Sequence, residues 1–160
     1  MEGSTLDGTI QYSSDEINWS TSIPEETNAG TYTSYWRIVG DSNHNNKESV
    51  SINTTIDKAA GEILIDPISV SGLIYNNTAQ NLIIAGSGTG NMQYKLDSGS
   101  WENSIPSMIE VGTYTIYYKA LESANYYATD GTDYVTTTII KVTPTVVAPT
   151  PRVLTYNTSS

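Results

Sequence analysis

The chain of 160 residues carries seventeen acidic and seven basic side chains, a formal charge of -10, with no cysteine and no phenylalanine. A charge of that sign repels phosphate backbones and anionic headgroups, so neither nucleic acid nor a membrane surface is an expected partner. The missing thiols exclude disulfides and thiolate metal sites, and no apolar run is long enough to insert into a membrane. Twelve tyrosines and three tryptophans accompany abundant threonine, serine, asparagine and glycine. These residues favour half-buried strands and turns, and no stretch keeps an apolar 3.6-residue period, so the expected class is all-β with almost no helix.

The elements come in two copies. Gly8 to Gly30 matches Gly90 to Gly112 without a gap, a shift of 82 residues (90 − 8). In chain order, Gln11-Tyr12 of the first copy answers Gln93-Tyr94, the turn Asp15-Glu16-Ile17-Asn18 answers Asp97-Ser98-Gly99-Ser100, and Trp19 answers Trp101. Gly30-Thr31-Tyr32-Thr33 then answers Gly112-Thr113-Tyr114-Thr115, and Asn43 answers Asn125. In the second copy, Glu62–Asp66 and Ile68–Val70 are predicted as a first strand interrupted at Pro67, and Asn81–Ala85 as a second. Gly86–Gly90 is a predicted flexible connection, followed by a strand over Asn91–Leu96 and a hairpin turn before Trp101. Thr113–Lys119 alternates, placing Tyr114, Ile116 and Tyr118 on one face, and Tyr134–Val142 is a long β-branched strand. About seven strands per copy is the density of an immunoglobulin-like β-sandwich.

A third copy begins at the tail, where Val153-Leu154-Thr155-Tyr156 reads like Gly72-Leu73-Ile74-Tyr75. The predicted division is therefore residues 1–58 as an incomplete repeat lacking its first strands, 59–142 as a complete repeat, and 143–160 as the first strands of a further one. An incomplete sandwich exposes unpaired backbone and an open core, which invite a strand from elsewhere. Ten residues from Thr143 to Arg152 reach at most about 33 Å, barely the roughly 30 Å span of a small domain, so fold-back is strained. The expected partner is another copy, head to tail, with Val146, Val147, Val153, Leu154 and Tyr156 in the inter-subunit strand. The rival reading is that the chain is a window from a longer array.

Gly30 and Gly112 each stand two residues before a tyrosine, Tyr32 or Tyr114, at the start of an alternating strand. The pattern resembles the tyrosine corner of immunoglobulin-like domains, which makes these residues architectural. Trp19 and Trp101 are expected as core pins, with sugar platforms as the alternative. No catalytic residue is expected. The one histidine, His44, cannot supply a triad or a metal cage, and the acids Glu25 and Glu26 are replaced by Ser107 and Met108 in the other copy. No cofactor is expected either. Calcium held at a junction by Asp57, Glu62, Asp66, Asp130 and Asp133 is the minor alternative, and a lysine-to-asparagine crosslink at Lys58 or Lys141 a more remote one.

Tyr75–Leu82, Ser104-Ile105-Pro106, Gly112–Lys119 and Ala124-Asn125-Tyr126 together resemble the bacterial immunoglobulin-like repeats of very large surface proteins. The resemblance covers essentially the whole chain. It implies an extracellular stalk, fibre or adhesin-type spacer on a bacterial cell surface or, alternatively, on a virion, with a host glycan or surface receptor as the alternative partner. The opening Met1-Glu2-Gly3-Ser4-Thr5 has no signal-peptide core, so an export signal is expected elsewhere.

Overall fold

A computed structural model describes residues 8–154 and 156. Residues 1–7 of the predicted first repeat, and positions 155 and 157–160 of the predicted donor segment, lie outside the described residues. The described residues form fourteen strands and no helix. The all-β expectation holds, and the layering is consistent with a β-sandwich.

The first part of the chain is a three-stranded antiparallel sheet in the order β1 (Gly8–Ser13), β2 (Gly30–Gly40), β3 (Lys47–Ile56). Tyr12 faces Trp36 across β1 and β2, and Tyr32 faces Thr54 across β2 and β3. The register slips between Trp36 and Ile38, a β-bulge that lets Lys47 pair with Ile38.

From residue 59 the chain builds a layered body. Its larger sheet runs β11 (Trp101–Glu102), β10 (Met92–Leu96), β13 (Gly112–Ala120), β14 (Tyr134–Ile140), β6 (Leu73–Ile74). All its pairings are antiparallel except the last, where β6 runs parallel to β14 with Leu73 opposite Ile139. Facing it are three short ladders: β4 (Ile63–Ile65) with β9 (Ser87–Gly88), β5 (Ile68–Ser69) with β8 (Ile83–Ile84), and β7 (Gln80–Asn81) with β12 (Ser107–Met108). Between the layers lie Leu82, Ile83, Tyr94, Tyr114, Ile116, Tyr118 and Ile139, all buried. The alternation of β13 thus sends Tyr114, Ile116 and Tyr118 inward as the sequence indicates.

Three local expectations are refined. The predicted first strand is split at buried Pro67, which cannot donate to a ladder. The predicted second strand is split at Leu82. Its N–H bonds the Pro106 carbonyl at 3.0 Å, and its own carbonyl accepts from the Val70 N–H at 2.9 Å and the Thr137 hydroxyl at 2.7 Å. Finally, Gly86–Gly90 is no free connection. A methyl on Gly86 would stand 2.3 Å from the Ile65 carbonyl, and one on Gly90 1.9 Å from that of Leu121, so glycine is used for close backbone approach.

The three strands of the first part correspond to β10, β13 and β14 of the body. Tyr12 opposite Trp36 is Tyr94 opposite Tyr118 moved by the repeat, and Tyr32 opposite Thr54 is Tyr114 opposite Thr137. Among the described residues, however, β1, β2 and β3 have no facing layer.

Candidate functional site

Pairing places Tyr12, Tyr32, Ser34, Trp36, Val50, Ile52, Thr54 and Ile56 on one face of the first sheet. The positions matching Tyr12, Tyr32, Ser34 and Trp36 in the body are Tyr94, Tyr114, Ile116 and Tyr118, all buried. In the first sheet none of those four is fully buried, and Ile52 on the neighbouring strand is 58% exposed. A cleft of about 430 Å³ opens on this face, lined by Pro24, Tyr32, Ser34, Thr54 and Ile56. Pro24 and Thr54 are the counterparts of Pro106 and Thr137, the residues that clamp Leu82 in the body. The cleft therefore borders the counterparts of two residues that hold Leu82 in the second copy.

The far edge of β3 is open in the same way. β14 takes β6 as a parallel neighbour on that edge, with the Tyr75 N–H bonded to the Ile140 carbonyl at 3.0 Å. Among the described residues β3 pairs only with β2. The described residues of the tail segment that resembles β6 do not pair with it. Val146, Val147 and Tyr156 are exposed, as are Val153 at 90% and Leu154 at 77%, and none belongs to a strand. An edge and an apolar face that no other described strand covers are a template for a further strand.

Both tyrosine corners are formed. The Tyr32 hydroxyl donates to the Asn28 carbonyl at 2.9 Å and the Tyr114 hydroxyl to the Glu110 carbonyl at 2.8 Å. Gly30 and Gly112 lie beneath the rings: a Cβ on either would meet its tyrosine's ring and hydroxyl at 3.2–3.3 Å. Among the described residues, buried Tyr94 meets no acceptor through its hydroxyl. Tyr114→Phe is therefore expected to cost about 1 kcal/mol of stability and Tyr94→Phe close to nothing, read as urea midpoints. Equal losses would remove the corner's special role.

Trp19 and Trp101 are not core pins. Both are half-buried on the opposite face, stacked under cations. Arg37 lies 4.2 Å from the Trp19 ring centre, and Lys119 and Lys95 lie 4.5 and 5.1 Å from that of Trp101. Arg37 and Lys119 are repeat partners on the outward positions of β2 and β13, so the pairing of cation with tryptophan is itself repeated. Gly131, at a φ of 74°, packs on the Trp101 ring, leaving no room there for a side chain.

The acids proposed for calcium do not converge: among the described residues no group of three carboxylates or imidazoles is placed to hold a metal. Asp66 instead accepts from the Tyr118 hydroxyl at 3.0 Å. Burial first, then that bond and the nearby carboxylates, push the Tyr118 phenol up to about 12. Unfolded tyrosine ionises near pH 10, so the folded chain holds this proton the more tightly. Its stabilising effect is complete below about pH 10 and is lost as pH climbs towards 12. Tyr118→Phe is expected to flatten that part of the stability curve, measured by denaturant midpoints at rising pH. Asp15 is held far below the usual carboxylate range, chiefly by the Asn18 and Ile17 N–H groups that it bonds across its turn.

Sequence reasoning missed the junction between the two parts. Ala59 makes a parallel bridge to Tyr126, and Lys58 bonds Glu122 at 2.6 Å and the Ser123 carbonyl at 2.8 Å. Lys58 is thereby engaged in the junction. The Asn125 amide spans the gap, accepting from the Ala29 N–H at 2.8 Å and donating to the Asn28 side chain at 2.9 Å. The recurrence of asparagine at positions 43 and 125 was the available signal. No family model, curated protein or solved structure matches the chain.

Proposed function

We propose that the chain is a non-enzymatic structural module of an extracellular fibre or stalk, built of tandem immunoglobulin-like units and completed head to tail by strand donation. The observation that carries this reading is the face and edge of β1-β2-β3 that no described strand covers, together with a tail whose sequence matches the strand that covers the same edge in the body. Leu154 of one copy takes the place of Leu73, opposite Ile56 of the next, and residues 143–156 follow the path of 60–75 with two residues fewer. The surface is that of a bacterial cell or a virion, and mechanical spacing is the role.

Pro144, Pro149 and Pro151 favour an extended tail, which lowers the entropy lost on docking. The glycan-binding reading has weaker support. A cleft of about 440 Å³ includes Trp19, Arg37 and Lys47, but Arg37 already covers a tryptophan face that a sugar ring would need. Light scattering of the intact chain over a range of concentrations tests the proposal. Mass rising with concentration supports it, and a constant monomer mass at every concentration overturns it.

A further inference from the structure

The junction inside the chain is a repeat whose two halves recur, unjoined, at its opposite ends. One half is the Asn125 loop, with Ser123 and Tyr126 closed into a turn by a 2.9 Å backbone bond. Its copy in sequence is the Asn43 loop, closed by a bond of the opposite sense, from the His44 N–H to the Asp41 carbonyl at 3.4 Å. The other half is the Asn28–Ala29 corner, pinned by the Tyr32 hydroxyl. Its copy is Glu110–Val111, pinned by Tyr114 in the same way. Lys58, which ties the junction from the end of β3, recurs as Lys141 just beyond β14.

Resting on the strand-donation reading, we infer that a second copy of this chain docks end-on, its Asn43 loop against Glu110–Val111 of the first. Asn43 takes the part of Asn125: its amide oxygen accepts from the Val111 N–H and its amide nitrogen donates to the Glu110 carboxylate. A glutamate accepts that bond as the Asn28 amide oxygen does. Lys141 takes the part of Lys58 and meets the Asp41 carbonyl, the counterpart of Ser123, beside the Asp41 carboxylate. Val142 then lies along His44 as Ala59 lies along Tyr126, which sets the tail on its course towards β3.

Both halves are accessible. Asn43, Glu110 and Lys141 are exposed, and Val111 is partly so. The contact is heterologous, joining different surfaces of identical chains, so it propagates from copy to copy unless the rotation between them closes a ring.

The chain has no cysteine, so single cysteines report contacts without background. Asn43→Cys chains are mixed with Glu110→Cys chains and treated with a short bismaleimide, with Ile56→Cys mixed with Leu154→Cys in parallel. Crosslinked dimers in both mixtures are expected. A dimer from the 56/154 mixture without one from 43/110 overturns the end-on junction while leaving strand donation intact. No dimer in either mixture overturns both. Asn43 and Glu110 are surface positions, so neither substitution endangers the fold.

Discussion

Leu82→Ala is expected to destabilise the body by about 3–5 kcal/mol, the upper part of the range for leucine truncation. The side chain is fully buried against Tyr114, Ile116 and Ile139, and its neighbours cannot collapse freely into the space it leaves. Three hydrogen bonds fix its backbone: one to the Pro106 carbonyl, one from Val70 and one from the Thr137 hydroxyl. A cavity whose walls are pinned by such bonds keeps its volume, and the cost of a truncation rises with the volume kept. Two residues on, Ile84 is 60% exposed on β8, so Ile84→Ala is expected to stay within about 0.5 kcal/mol. Urea denaturation followed by far-ultraviolet circular dichroism separates the two. A Leu82→Ala loss below about 1 kcal/mol would mean that the layers do not pack through this residue.

The same residue shows how far the sequence could be read. Alternation in Thr113–Lys119 exposed the inward set of β13 because one face is apolar at every second position. Copying that pattern by the repeat located the face of β2. The tyrosine corners were legible for a similar reason, since glycine two residues before tyrosine is a local arrangement and the bond it serves is local too.

What escaped depends on distant partners. Nothing in Leu73-Ile74 announces a parallel strand, because its mate β14 lies more than sixty residues on. Gly86–Gly90 has the composition of a linker, and only the carbonyls of Ile65 and Leu121 reveal that it is a close-packed crossing. Recurrence in both copies and the weight of aromatic residues in small cores point Trp19 and Trp101 inward, whereas both lie half-buried under cations. Their polar partners, Arg37 and Lys119, were visible as repeat mates, but not the fact that they project from the outward face.

Substituting Leu154 by aspartate is expected to weaken self-association roughly 30- to 100-fold, and removing residues 143–160 to abolish it, with the body's stability unchanged in both cases. The magnitude follows from burying one leucine side chain, about 2–3 kcal/mol, at tenfold per 1.4 kcal/mol. The body is indifferent because its own edge is already covered by β6 and its own core filled by Leu82. Sedimentation velocity at several concentrations gives the association constant, and thermal melts give the stability. Hydrogen exchange adds a site-specific test. In the body the Tyr75 N–H is held by the Ile140 carbonyl, so the Tyr156 N–H should be protected by the Asp57 carbonyl of a neighbouring copy, and only at concentrations where chains associate. Salt bears on the same equilibrium. With a charge of -10 on every copy, long-range repulsion opposes assembly, and raising the ionic strength screens it. Association that strengthens with salt is therefore expected for a contact made chiefly by strand pairing and apolar side chains. Association that weakens steeply with salt would identify ion pairing as the dominant force. An unchanged association constant in the tail-deleted chain would show that the open face of β1-β2-β3 recruits something other than this strand.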